Sequence, residues 1–354
     1  MTHPLNLLFV STSVGALGSG EGGGVELTVL NLVQEMQRRG HQINTIAPAG
    51  SVLKNASVIG IEGNIQTPVQ TQTRDAPICF PGNSVLANMW EYARRLQHKY
   101  DLIVNFCFDW LPFYLTNFFD RPLAHFISMG SMTDALDEIM EQTAAAYPKN
   151  IGVYTKAQAN TFSFAEKCRI LGSAIDLSLY EFNPQPENFL CWLGRIAPEK
   201  ALEDAVEAAQ ISQIPLHIFG KIQDIDYWQK IQADFPHAPL EYRGFLPTRE
   251  LQKEIGQSRA LLMTPRWIEA FGNVAIEALA CGVPVIAYNR GGPGEIVQDG
   301  KTGFLVEPDS VSGLVAAINN LDKIDRYYCR QQAEITYSLE AWGDRFEAWF
   351  RDLI

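Results

Sequence analysis

Residues 5–49, LNLLFVSTSVGALGSGEGGGVELTVLNLVQEMQRRGHQINTIAPA, decide the fold class. The run LNLLFVST (5–12) is apolar until its small polar end, the pattern of a strand buried on both faces of a parallel sheet. After a glycine-rich loop, Val25, Val29, Leu32, Val33 and Met36 recur at helical spacing up to Gly40, which suits the left-handed position past a helix end. HQINTIAPA (41–49) then reads as a second strand. Strand, loop, helix and strand in that order predict a parallel α/β sheet.

The pattern continues with DLIVNFCF (101–108), PLAHFIS (122–128) and NIGVYT (150–155), and restarts in the second half. There FLCWLGR (189–195), PLHIFGK (215–221), LEYRGF (240–245), ALLMTP (260–265) and VPVIAYN (283–289) are strand-like, with helical segments between them. Two α/β domains follow. The stretch DLSLYEFNPQPEN (176–188), with two prolines and polar spacers, is the expected linker. The boundary is placed near Pro184, giving domains 1–183 and 184–338. A final helix from about Leu339 carries Trp342, Phe346, Trp349 and Phe350, too much aromatic surface to be a free tail.

Composition excludes several classes. The 354 residues are 47% apolar and 19% charged, enough for two cores and unlike a disordered or collagen-like chain. The formal charge is −12, and no Lys/Arg cluster exceeds a pair, so nucleic acid and anionic membrane are unexpected partners. Apolar runs such as LLFV (7–10) and ALLM (260–263) are far short of a membrane span, and MTHPLN has no basic leader region. The six scattered cysteines form no C-x-x-C pair and read as small thiols of a reducing compartment. A cytoplasmic protein is expected.

Gly18, Gly20 and Gly23 match the G-x-G-x-x-G fingerprint of dinucleotide-binding folds, but Ala47, Pro48 and Ala49 stand where that fingerprint needs a ribose-binding acid. Hydride transfer is thereby demoted, while a loop that lets an anion approach the helix at Val25 remains. Gly300-Lys301-Thr302 lacks the earlier glycine of a phosphate loop, since Glu295 occupies that place. Asp224-x-Asp226 has no further ligand at metal-binding spacing, so no metal and no resident cofactor are expected. The second half is richer. Gly194-Arg195 through Lys200 puts a guanidinium and an ammonium on one loop after a strand, suited to a diphosphate. Glu269-Ala-Phe-Gly-Asn-Val-Ala-Ile-Glu277 places Glu269 before a helix and Glu277 one turn beyond Asn273, flanking a helix start that favours phosphate.

These motifs, with the run EALACGVPVIA (277–287), Gly291-Gly292 with Glu295, and Gly23-Gly24-Val25-Glu26, resemble the GT-B-fold, family-4-type retaining glycosyltransferases. The resemblance implies two facing Rossmann-like domains with the active site in the cleft and a C-terminal helix, about 339–354, returning to the first domain. It assigns Arg195 and Lys200 to the donor diphosphate, Glu277 to the ribose, Glu269 with Phe271, Gly272 and Asn273 to the sugar, and Gly23 and Gly24 to the phosphate. Gly244, Phe245 and Leu246 would lie against the base, with packing the alternative for Phe245. Arg195, Lys200 and Glu269 would be the catalytic set, acting without a metal ion. The chain is similar in particular to the branch that moves glucose from UDP-glucose to tetrahydrobiopterin. A catalytically silent sugar-nucleotide-binding protein is the rival, against which the joint presence of Arg195, Lys200, Glu269 and Glu277 argues.

On the acceptor side the chain departs from the family, because Ser128 stands in register with a histidine many relatives carry. His125 lies three residues earlier, on the opposite strand face unless a bulge intervenes. Both are candidate acceptor residues, as is Asp109, which could take a hydroxyl proton or simply end a turn or cap a helix. The aromatic stretch Asn105–Tyr114 past a strand end suits a flat acceptor such as a reduced pterin, with core packing the alternative for most of its rings. Residues 1–186 hold 12 Lys+Arg against 16 Asp+Glu, which disfavours a membrane-lipid or anionic-sugar acceptor.

Overall fold

The apolar runs become strands because a strand covered on both faces can bury every side chain while the ladder satisfies its backbone. In the computed structural model, which describes residues 3–19, 24–53 and 56–354, the first sheet holds β1 (Asn6–Val10), β2 (Gln42–Pro48), β3 (Ser57–Ile61), β4 (Leu102–Asn105), β5 (Leu123–Phe126), β6 (Ile151–Val153) and β7 (Arg169–Ile170). All are parallel, in the order β3-β2-β1-β4-β5-β6-β7. The second sheet holds β8 (Leu190–Leu193), β9 (Leu216–Phe219), β10 (Leu240–Gly244), β11 (Leu261–Met263), β12 (Val285–Tyr288) and β13 (Gly303–Val306), also parallel, in the order β10-β9-β8-β11-β12-β13. Both are doubly wound α/β sheets, as expected. The strand order reverses between β1 and β4 and between β8 and β11, and ligands of such sheets bind beyond the strand ends at these points.

The helix Gly24–Arg38 buries Val25, Val29, Leu32, Val33 and Met36, the face its spacing predicts, and Gly40 follows at φ +90°. The N–H groups of Gly40 and His41 close the helix end on Gln37 and Met36. Cys107, Cys191, Cys281 and Cys329 are buried thiols, whereas Cys79 is exposed.

The chain divides into Met1–Ser173 with Leu339–Ile354, and Ala174–Ser338. The expected boundary near Pro184 lies about ten residues too late. Residues 176–183 open the stretch read as the linker, yet the second unit binds them, chiefly through helix Arg326–Tyr337. Arg326 donates to Asn183 O at 2.8 Å, Arg330 to Tyr180 O at 2.8 Å, and Asn183 N–H to Cys281 O at 3.1 Å. These long-range hydrogen bonds to the backbone of the stretch, which composition does not display, tie it to the second unit.

Helix Leu339–Leu353 belongs to the first unit and buries Trp342, Phe346, Trp349 and Phe350. The Phe346 ring centre lies 5.1 Å from that of Phe126, and Phe350 is 6.4 Å from Phe9. The indole N–H groups of Trp342 and Trp349 reach Gly172 O and Lys149 O. Gly343 permits the close approach to helix Gly24–Arg38, since a Cβ there would stand 2.6 Å from Glu35 Cγ.

Candidate functional site

In the second unit, the chain leaves β8 through Gly194–Lys200 and leaves β11 through Thr264–Gly272 before helix Asn273–Ala280 begins. These two segments enclose a cavity of about 150 Å³ at the strand-order reversal, lined by Gly194, Arg195, Lys200, Glu269, Gly272 and Asn273 among others. Hydrogen bonds tie them together. Thr264 Oγ1 donates to Ala201 O at 2.8 Å and accepts from Trp192 Nε1 at 3.3 Å, and Arg266 N–H reaches Glu199 O at 2.9 Å.

Gly291-Gly292 acts by close approach. Gly292 N–H donates to Glu269 O at 2.7 Å, and a Cβ on Gly292 would fall 2.1 Å from Phe271 O. The glycine pair therefore fixes where the loop 269–271 runs.

The charged side chains gather on that cavity. Lys200 Nζ pairs with Glu269 Oε2, which also accepts from Trp267 Nε1 at 3.0 Å, and the ammonium lies 4.9 Å above the centre of the Trp267 ring. Arg195 is half exposed, held by the Gln223 side chain and by Glu199 at 3.1 Å. Gly272, at φ +96°, precedes the helix without a side-chain cap, and Ala275 N–H turns back to Gly272 O at 3.0 Å. Asn273 Oδ1 is buried with no hydrogen-bond partner among the described residues. Two cations and a helix start on one rim are groups that attract anions, although here Lys200 is paired with Glu269 and Arg195 with Glu199. The orphaned amide oxygen is an acceptor awaiting a donor, as a sugar hydroxyl would supply.

Glu277 lies one turn further along, partly buried. Burial pushes its carboxyl up to about 7, against a pull downward from the Tyr180 hydroxyl. Burial and the charge of Glu277 in turn push the Tyr180 phenol upward. Glu277 does not itself line the cavity; it stands one helical turn behind Asn273, which does.

Two expected donor residues stand differently. The Phe271 ring is buried, its centre 6.1 Å from that of Tyr337, so the aromatic goes inward and packs. Phe245 does not pack; it is 66% exposed, with Lys221 Nζ 5.0 Å above its ring. Gly244 takes φ +77° and accepts from Gly220 N–H, which places Gly244–Leu246 on the same strand-end edge as the loop bearing Arg195. Asp224, weighed for metal binding, caps helix Ile225–Asp234 by accepting from Tyr227 N–H at 3.0 Å. No group of three or more His, Cys, Asp or Glu side chains among the described residues is placed to hold a metal ion.

In the first unit, Gly23 lies outside the described residues, and Gly24 opens its helix on the exposed surface. His125 is a correction. It sits fully buried in β5, with Nδ1 at 3.1 Å from Asn105 Nδ2, Nε2 at 2.9 Å from Thr116 Oγ1, and its ring stacked on Phe113. Burial holds it down to about 3, so it is a neutral core histidine with both nitrogens engaged and does not reach an acceptor. Ser128 is half-buried just past the end of β5.

Asp109 occupies the N-cap position of helix Trp110–Leu115 and lines a small cavity of about 30 Å³ with Gln66, Trp110 and Thr133. Burial pushes its carboxyl up to about 6, opposed by nearby N–H groups of Leu111 and Trp110 and by Gln66. Phe106 and Phe113 are core, whereas Trp110 is half-buried and stacks on the exposed Tyr114 at 4.6 Å and 18°.

Sequence reasoning missed Trp267 and Gln66. Trp267 falls two residues before Glu269 in a loop, where no periodicity predicts contact. Gln66, whose Oε1 is buried without a partner among the described residues, follows an edge strand that carried no signal of its own.

Residues 181–335 match the family model described as "Glycosyl transferases group 1". A sulfoquinovosyl transferase of Arabidopsis thaliana is 32% identical over 143 residues, 39% of this chain and 28% of that protein. The chain spans well under half the length of the curated relatives it matches. Among solved structures, the Anabaena protein Alr3699/HepE in complex with UDP has a TM-score of 0.78 at 18% identity, over 99% of this chain and 100% of that one; the same protein has been solved with UDP-glucose. Sucrose-phosphate synthase of Thermosynechococcus elongatus has a TM-score of 0.77 at 17% identity, over 99% of each chain. At these identities the likeness is one of fold, GT-B. The stretch that matches this family model, residues 181–335, lies within the second unit.

Proposed function

We propose that the chain is a retaining glycosyltransferase that moves glucose from UDP-glucose to a small soluble acceptor, a reduced pterin such as tetrahydrobiopterin. The observation that carries the donor half is the convergence of Arg195, Lys200, Glu269 and the uncapped start of helix Asn273–Ala280 on one cavity at the strand-order reversal. In this reading Arg195, Lys200 and the helix start hold the diphosphate. Glu277 accepts from the ribose hydroxyls, and Glu269 with Asn273 accepts from the sugar.

Chemistry follows from that placement. As the bond from the sugar's C1 to the diphosphate oxygen breaks, negative charge grows on the diphosphate, where two fixed cations and the helix dipole already stand. The acceptor oxygen bonds C1 on the face the diphosphate is leaving, and its proton passes to a diphosphate oxygen. Configuration is therefore retained without an enzyme nucleophile, and Arg195 and Lys200 supply charge that a divalent ion would otherwise provide.

The acceptor half draws on the first unit. Asp109 is a buried carboxyl raised to about 6, beside the half-buried Trp110 on a strand-end cavity. A carboxylate accepts from paired N–H donors, and an indole offers a stacking face. Calorimetric titration with UDP and UDP-glucose, followed by an acceptor screen for UDP release, tests the proposal. Donor binding with release on tetrahydrobiopterin is the expected result. Donor binding without turnover on any acceptor would favour a silent sugar-nucleotide-binding protein, and release on a lipid alone would sink the pterin assignment.

A further inference from the structure

We propose that Trp267 is a positioning residue of the donor site, keeping Glu269 aimed when Lys200 turns from it to the incoming diphosphate. The inference rests on the donor reading given above. Trp267 lies in the irregular stretch between β11 and helix Asn273–Ala280, half-buried, and makes two contacts of different kinds. Its indole N–H donates to Glu269 Oε2 at 3.0 Å, and its ring face carries the Lys200 ammonium 4.9 Å from its centre. Lys200 pairs with the same Oε2. One carboxylate oxygen thus receives two donors, and one ammonium has two partners.

A diphosphate entering the cavity brings anionic oxygens that compete with Glu269 for Lys200. The ammonium is a compact charge on a flexible stem and redistributes readily. Once it has turned, Glu269 loses its ion-pair partner, and among the described residues the indole N–H is its remaining side-chain donor. That single bond leaves Glu269 Oε1 for a sugar hydroxyl. The ring, meanwhile, gives the ammonium an attractive surface along its path, so that it does not need to leave the rim. Edge and face therefore act on different parts of the donor: the N–H on the sugar through Glu269, the ring on the diphosphate through Lys200.

This division is testable. Trp267→Phe keeps a ring and removes the N–H, whereas Trp267→Leu removes both. For Trp267→Phe, calorimetry should give UDP affinity within about twofold of wild type, while kcat/KM for UDP-glucose falls about tenfold or more, as expected for losing a hydrogen bond to a charged group. For Trp267→Leu, UDP affinity should fall as well. A purely structural role would lower UDP and UDP-glucose binding together in both variants, and that result would overturn the proposal, as would wild-type UDP-glucose kinetics in Trp267→Phe. A wild-type protein that binds neither UDP nor UDP-glucose would overturn it together with the donor reading. Wild-type binding with an indistinguishable Trp267→Phe would overturn the role of Trp267 alone.

Discussion

Replacing Glu277 by glutamine should make the protein more stable at alkaline pH and a poorer donor binder at the same time. Burial raises this carboxyl from 4.5 to about 7, so the folded state keeps a proton that the unfolded chain has already released. Below about pH 4.5 both states are protonated and the group is neutral to stability. Between pH 4.5 and 7 the unfolded state binds fewer protons than the folded one, so stability falls as pH rises. Above pH 7 the folded state bears the whole desolvation cost. One pKa unit corresponds to about 1.36 kcal/mol, which bounds that cost at roughly 3 kcal/mol, less what solvent at this partly exposed site takes back. Glutamine cannot ionise, so Glu277→Gln should gain roughly 1–3 kcal/mol over wild type at pH 8 and almost nothing at pH 4.5. Urea unfolding of both proteins without ligand, at the two pH values, measures the difference. Donor affinity should move the other way: wild type loses UDP as pH falls below about 7, and the glutamine variant is weak throughout. An equal stability change at both pH values, or a loss of stability at pH 8, would refute the reasoning.

Lys200→Ala should weaken use of UDP-glucose by about 10–150-fold, the equivalent of a charge-assisted contact of roughly 1.5–3 kcal/mol, with the fold intact by circular dichroism. Because Arg195, Lys200 and the helix start furnish the positive charge, turnover should survive EDTA; abolition with rescue by magnesium or manganese would contradict this. His125→Ala should cost about 2–4 kcal/mol of stability by opening the core and stranding Asn105 and Thr116, yet leave the pH profile of kcat/KM unchanged in the folded fraction. Gly292→Ala must displace the main chain of Phe271, so a loss of about 1–3 kcal/mol in unfolding experiments should accompany a marked loss of donor binding.

What the sequence makes legible follows from how its information is laid out. Central strands such as β4, β5 and β12 are buried at every position, so each appears as an unbroken apolar run. The edge strands β3 and β7 have exposed or half-buried positions throughout and leave no such run, which is why SVIGI (57–61) and Arg169–Ile170 escape a reading by periodicity. The loop Gly194–Lys200 and the Glu269–Glu277 pair announce charge chemistry because their spacing is local to one loop and one helix turn. Side-chain direction is another matter. Phe271 turning inward, and His125 closing both ring nitrogens on Asn105 and Thr116, depend on neighbours distant in sequence. So does the end of the first unit at Ser173, fixed by Arg326 and Arg330 from a helix more than a hundred residues downstream.

The most direct test is proton NMR of the product formed from UDP-glucose and tetrahydrobiopterin. The account predicts release of UDP and a glucosylated pterin whose anomeric proton has the small coupling of an α-linkage, the configuration of the donor. A β-linked product, or UDP-glucose left intact with every acceptor offered, would contradict it.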